Sequence, residues 1–361
     1  MSEIKRIGID PSKAVFTLHA IDQADQAVLR VNLRRAQMLP FFKKHPRTEI
    51  ALEACGGSHH WARKLTALGH DVRLIPAQYV RPFVKRGKND RNDAEAICEA
   101  AGRPGMRFVL AKSAEQQADS MVLKVREMLL GQRTRLINAL RGHAAAFGII
   151  AAKGAGQVAP LLVAIEAEES IPCRAKEMLA LLGEEIHHLE VRLKALEAKL
   201  LAMHRANALS QLLATIPGIG PIIALTLATE VDPKAFRSGR HLAAWLGLTP
   251  QERSTGGKQR LGGISRAGNE RLRTLLVAGA TAVIRCASRA GSKLVTAWLR
   301  QLLSRKPRKL AAVALANTGF PSRWRDGVPQ MARIAWAIMT SGETYRPPPA
   351  RTAAVTAKAV S

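Results

Sequence analysis

Leu179, Leu182, Ile186, Leu189, Leu193, Leu196, Leu200 and Met203 follow one another three and four residues apart without a break. Only an α-helix brings such positions onto one line, so a long helix is dictated over 179–203. More than three heptads of apolar a/d positions, with Glu, Lys and Arg elsewhere, read as a coiled coil or an antiparallel helical hairpin. An amphipathic helix packed on its own domain is the plainer alternative. A coiled coil between copies would make the chain self-associate. A second long helical pattern, 113–148, precedes it, with Val122, Val125, Leu129, Leu136 and Leu140 near heptad spacing. The small-residue stretch "AAKGAGQVAP" between the two reads as a loop.

The first 110 residues follow a different period. "IKRIGIDPSK", "VFTLHAI" (15–21) and "AVLRVNL" (27–33) alternate in the manner of strands, the last two separated by the polar turn "DQADQ". They predict a three-stranded meander. "TEIALEAC" (48–55) and "DVRLIP" (71–76) are further strands, and "GSHHWARKLTALGH" between them reads as a helix stopped by Gly. Strand–helix–strand order implies parallel pairing. The last third reads as mainly helical, with "IPGIGPIIALTLATEV" (216–231) as two helices about a Gly turn and further helices at 269–288 and 292–304. The division that follows is 1–150, an α/β domain with its trailing helix; 151–210, a helical connector; 211–345, a mainly α domain; and 346–361, a basic, Pro/Ala-rich disordered tail.

Charge separates these regions. The chain of 361 residues has a formal net charge of +27. Residues 1–110 carry 19 basic and 11 acidic residues, 111–210 carry 13 and 11, and 211–361 carry 23 and 6. Such a balance fits a polyanion, nucleic acid above all, bound mainly by the C-terminal third. No apolar run reaches membrane-span length, and "MSEIKRIGID" lacks the pattern of a signal peptide, so a cytoplasmic, non-membrane protein is expected. Cys55, Cys98, Cys173 and Cys286 are scattered, with no CxxC pair, and read as plain thiols in a reducing compartment.

Against this background, four acids stand out. Asp10 closes the first strand, Glu53 closes the fourth, and "KNDRNDAEA" places Asp90 and Asp93 three apart at a helix start. Singly, each acid is a cap or a salt-bridge partner. Together they suit two Mg²⁺ ions about 4 Å apart, clamping the attacking and leaving oxygens of a phosphodiester. Arg86, Lys88 and Arg91 would hold backbone phosphates. His59 and His60 are close enough in sequence to reach a metal or phosphate, or serve as ordinary surface or core residues. In the C-terminal third, Gly218 and Gly220 of "IPGIGP" fit either a phosphate-approaching hairpin or close helix packing. "ERSTGGKQRLGGISRAGNERLR" sets Ser254 and Thr255 beside Gly256 and Gly257, with Lys258, Arg260, Arg266, Arg271 and Arg273 following. That stretch is a phosphate-binding loop, or a serine nucleophile that forms a phosphoserine intermediate. Tyr79 and Tyr345 are the only tyrosines, a poor fit to a tyrosine recombinase.

"GIDPSK", "LEACGGSHHWARKL", "KNDRNDAEAI", "IPGIGPIIALTL", "LAAWLGLTPQERSTGGKQRLGGISRAGNERLR" and "RKLAAVALAN" stand in this order over roughly residues 4–345. In that combination the chain resembles the DEDD transposases of insertion-sequence family 110, most closely subgroup 1111. The resemblance implies an α/β RuvC-like (RNase H-like) N-terminal domain, a central helical coiled coil and a mainly α C-terminal transposase domain. It also implies Mg²⁺ at Asp10, Glu53, Asp90 and Asp93, and a serine nucleophile at Ser254, with Thr255 one register away. The partners implied are DNA, a structured bridge RNA and further copies of the chain in a dimer or tetramer. Two departures stand out. "KND" replaces the usual Lys-Thr-Asp with both acids kept. "TGFPSRWRDGVPQ" (318–330) interrupts a helical pattern that is usually continuous, as a nucleic-acid contact or a damaging insertion. An RNA-guided DNA transposase is therefore expected. A RuvC-type nuclease using water, and a non-catalytic nucleic-acid scaffold, are the alternatives.

Overall fold

The structure, a computed structural model, describes residues 3–85, 87, 89–289, 297–317 and 331–345. Arg86, Lys88, the 318–330 stretch and the 346–361 tail lie outside the described residues. The chain divides into two compact units, Met1–Gln117 and Ala118–Ser361.

In the first unit, β1 (Ile4–Pro11), β2 (Val15–Asp22) and β3 (Ala27–Arg34) form the expected antiparallel meander. A short α1 (Met38–Lys43) leads to β4 (Glu49–Glu53), then α2 (Ser58–Ala67) and β5 (Asp71–Ile75). β4 pairs parallel with both β1 and β5, giving the order β3-β2-β1-β4-β5. One further turn, α3 (Ala77–Val80), precedes α4 (Asp90–Ala101). This is a mixed α/β sheet, compatible with the N-terminal fold that the resemblance implies.

Strand alternation builds two cores. Ile7, Ile9, Ile50 and Leu52 face one side, where Phe16, Trp61 and Leu65 pack on them. Ala51 faces the other side, among Ala96, Ile97 and Ala100 of α4. Gly8 is on that same side and is paired in register with Ala51. A Cβ at Gly8 would lie 2.3 Å from the Ala94 carbonyl oxygen and 2.6 Å from the Cys98 nitrogen. The α4 backbone therefore rests directly on β1, an approach that only glycine permits.

The second unit holds most of α5 (Ala114–Ala145), then α6 (Val158–Ala167) and α7 (Cys173–Ala206). The leucine stripe of α7 is covered within the chain. Leu200 packs with Leu123, Leu189 and Leu193 with Leu129, and Leu179 and Ile186 with Ile137, Leu140 and Ala144. Ion pairs Arg126–Glu197 and Arg133–Glu190 advance seven residues along α5 and retreat seven along α7. Of the forms open to the sequence, this is the antiparallel hairpin, and its partner is α5. The sequence reading attached 113–148 to the N-terminal domain; the structure pairs its apolar side with α7. It also adds α6, which begins within the last three residues of the small-residue loop and runs beyond it.

The remaining helices are α8 (Ala208–Ala214), α9 (Pro221–Glu230), α10 (Gly239–Trp245), α11 (Glu270–Ala287), α12 (Ala297–Arg305), α13 (Arg308–Asn317) and α14 (Met331–Ser341), around one apolar core. "IPGIG" is the turn between α8 and α9, so 216–231 holds one helix rather than two: Gly218 has φ +88° and Pro221 opens α9. The polar run forms a two-stranded hairpin, β6 (Pro250–Glu252) and β7 (Leu261–Ile264). No helix among the described residues is long and apolar enough to cross a membrane.

Candidate metal centre and the serine hairpin

Asp10 and Glu53 sit two residues beyond Gly8 and Ala51 on their strands, hence on the α4 side of the sheet. Small residues dock the helix, and the acids come next. Asn89 caps α4: its side chain accepts from the Asn92 backbone N–H at 2.8 Å. The capping role that could explain an acid here is thus filled by an amide. Asp90 and Asp93 are left in the first turn, one helical step apart, at the end where free N–H groups favour negative charge.

Asp10, Asp90 and Asp93 each place a carboxylate oxygen within 4.8 Å of the other two. Among the described residues, none of these three, nor Glu53, forms an ion pair. The Asp10 carboxyl is pushed up from the ordinary 3.8 to about 6, first by burial, then by the charges of Asp93, Asp90 and Glu53. Glu53 lies outside the close trio. Its carboxyl is also raised, by burial and by Asp93, with Arg81 acting against the shift. Like charges converging without a cation fit a hard divalent metal, whose preferred donors are carboxylate oxygens. His59 is taken up elsewhere, its Nδ1 accepting from the Lys112 N–H at 3.2 Å. His60 is exposed, edge-on to Trp61.

In the second unit, Ser254 stands at the base of the β6–β7 hairpin tip. Its hydroxyl donates to Glu252 Oε1 at 2.8 Å and accepts from the Arg260 N–H at 3.2 Å. The tip is a tight turn in which Lys258 N–H donates to Thr255 C=O, with Gly256 and Gly257 at φ +57° and +76°. Two left-handed residues in succession explain the Gly-Gly pair. Glu252 carried no separate signal in the sequence; only the hairpin register brings it to the serine.

The expected phosphate contacts divide. Arg91, Lys258, Arg260 and Arg266 are exposed. Arg271 and Arg273 serve inside the fold instead. Arg271 pairs with Glu230 at 3.2 Å and Glu127 at 3.3 Å. Arg273 is 8% exposed and donates to the carbonyls of Leu246 and Ala267. Gly218 packs against Val283 and the Gly279 carbonyl, which favours the helix-packing alternative at that position; Gly220 has open space around it.

An IS110-type DEDD transposase family matches residues 7–147, spanning all four acids, and the family described as Transposase IS116/IS110/IS902 matches residues 210–295. The transposase for insertion sequence element IS1111A of Coxiella burnetii is 39% identical over 350 residues, covering 96% of this chain and 92% of that protein. The transposase for IS1328 of Yersinia enterocolitica is 36% identical over 346 residues, covering 96% and 99%. The Sinorhizobium fredii protein y4pF/y4sB, which carries a transposase name, is 52% identical over 347 residues, covering 96% and 87%. The chain belongs to the IS110/IS116 family of DEDD transposases, enzymes of insertion-sequence DNA recombination.

Proposed function

We propose that this transposase cleaves and exchanges DNA strands by a Mg²⁺-dependent reaction in which Ser254 is the nucleophile and a structured RNA supplies the target. The observation that carries the reading is the convergence of the Asp10, Asp90 and Asp93 carboxylates within 4.8 Å, with no cation paired to them among the described residues. These three, with Glu53 beside them, would hold the metal. Bound there, Mg²⁺ supplies charge neutralisation at the scissile phosphate.

The chain's own groups account for the rest. Ser254 Oγ attacks phosphorus, its proton passes to Glu252, and the P–O bond to the sugar breaks, with the leaving oxygen protonated from water. The Arg260 N–H orients the hydroxyl. Exposed Lys258, Arg260 and Arg266 fit phosphate contacts around it. RNA guidance and assembly as a dimer or tetramer rest on the family resemblance; the charge of +27 suits two polyanions. α5 covers the α7 stripe within the chain, so the stripe itself is not needed for the self-association proposed.

The test is a denaturing gel of protein incubated with Mg²⁺, its RNA and element-end DNA. A covalent protein–DNA adduct is expected, lost in Ser254→Ala and Asp90→Asn. Free phosphate ends with no adduct would establish water as nucleophile, and cleavage unaffected by either substitution would overturn the site assignment.

A further inference from the structure

A second basic region lies where α14 crosses α10. The backbones are close: a Cβ at Gly239 would lie 2.8 Å from Arg333 Cα. The Trp336 indole donates to the Pro233 carbonyl at 3.2 Å, fixing the chain that enters α10 to the same helix. Lys234 and Arg237 lie in the segment that leads into α10, Arg240 is in its first turn, and Arg333 is on α14. None forms an ion pair among the described residues. Asp232, the acid nearest in sequence, is engaged with the Lys234 backbone N–H at 3.0 Å.

Arg333 carries the argument. Its Nε is buried without a hydrogen-bond partner. The Nε atoms of Arg6, Arg126 and Arg133 are also buried without a hydrogen bond, but each of those guanidiniums meets a carboxylate, Arg6 through Nε itself. Arg333 meets none; burial, and after it the neighbouring charge of Arg240, lower its pKa. A partly buried guanidinium beside a like charge is unfavourable unless an anion completes it. The planar fork of arginine matches the paired oxygens of a phosphodiester.

We infer that Arg240 and Arg333 form a clamp for the phosphodiester backbone of a nucleic acid, flanked by Lys234 and Arg237. The inference rests on the chain acting on nucleic acid and not on the identity of the nucleophile.

The experiment is fluorescence anisotropy over a salt series, in EDTA so that no strand is cut, with duplex DNA and an RNA stem of equal length. Arg240→Gln/Arg333→Gln is expected to weaken binding about tenfold and to make the log K against log salt slope shallower by about 2, the loss of two phosphate contacts. Arg174→Gln/Lys199→Gln, which removes the same charge from exposed positions elsewhere, should leave the slope unchanged. A change confined to DNA or to RNA supports the clamp and names its polyanion, and a change in both supports it for either. Wild-type affinity and slope on both probes, in a double variant that melts like wild type, would overturn it. So would an equal change in the control variant. Arg333→Lys keeps the charge without the fork and should recover the salt slope but only part of the affinity. The assay reads binding alone, so it stands or falls separately from the adduct test.

Discussion

At the residue scale, the candidate centre is a stored electrostatic cost. Asp10 is pushed up to about 6 by burial and by Asp93, Asp90 and Glu53. The folded-state value lies above the unfolded one, so the carboxyl's contribution to stability is full below about pH 4 and lost as pH rises through about 6. Glu53 moves in the same direction. In EDTA at pH 7.5, Asp10→Asn should therefore melt about 2–4 °C above wild type, the gap closing by pH 4.5. With Mg²⁺ the order should reverse if Asp10 is one of the ligands, as proposed. Calorimetric scans at the two pH values, with and without metal, check both signs. Wild type melting above Asp10→Asn in EDTA at pH 7.5 would show that repulsion among these acids is relieved from within the chain.

At the element scale, the centre depends on how closely α4 approaches β1. The Ala94 carbonyl and Cys98 nitrogen that crowd Gly8 are backbone atoms and cannot turn aside. Gly8→Ala should cost about 1–3 kcal/mol, by overpacking, and remove the Mg²⁺-dependent rise in melting temperature. Gly56→Ala, at a glycine with open space around it, should change neither. Much of this architecture was legible beforehand, because alternating strands and a three-four leucine stripe are local patterns that survive into the fold. The order of Asp10, Glu53 and the Asp90–Asp93 pair followed from strand ends and a helix start. The Gly8–Ala51 seam was harder to see: it depends on a register between strands some 40 residues apart, which no local pattern records. The β6–β7 hairpin escaped because its strands are exposed and lack an apolar alternation. Arg271 and Arg273 looked like phosphate ligands because composition says nothing about which cations meet an internal acid or carbonyl.

At the scale of the whole molecule, charge governs encounter with substrate. The excess of 23 basic over 6 acidic residues in 211–361 predicts polyanion binding that falls steeply with salt. Affinity for duplex DNA should drop about 10³-fold or more between 50 and 200 mM salt, corresponding to six or more phosphates, as titrations at several salt concentrations would measure. A slope equivalent to one or two phosphates would mean that most of this charge faces away from the nucleic acid. The Gly8 contact bears on a different property, the order of events in folding. Asp10 and the Asp90–Asp93 pair are about 80 residues apart in the chain, and only the docking of α4 onto Gly8 unites them. We expect that docking to finish on the native side of the barrier, so that a bound ion would act on the rate of opening rather than of closing. Amide hydrogen exchange should slow in β1 and α4 on adding Mg²⁺ while refolding keeps its pace. On that expectation a bound metal would be a latch on a finished structure rather than a template for making it.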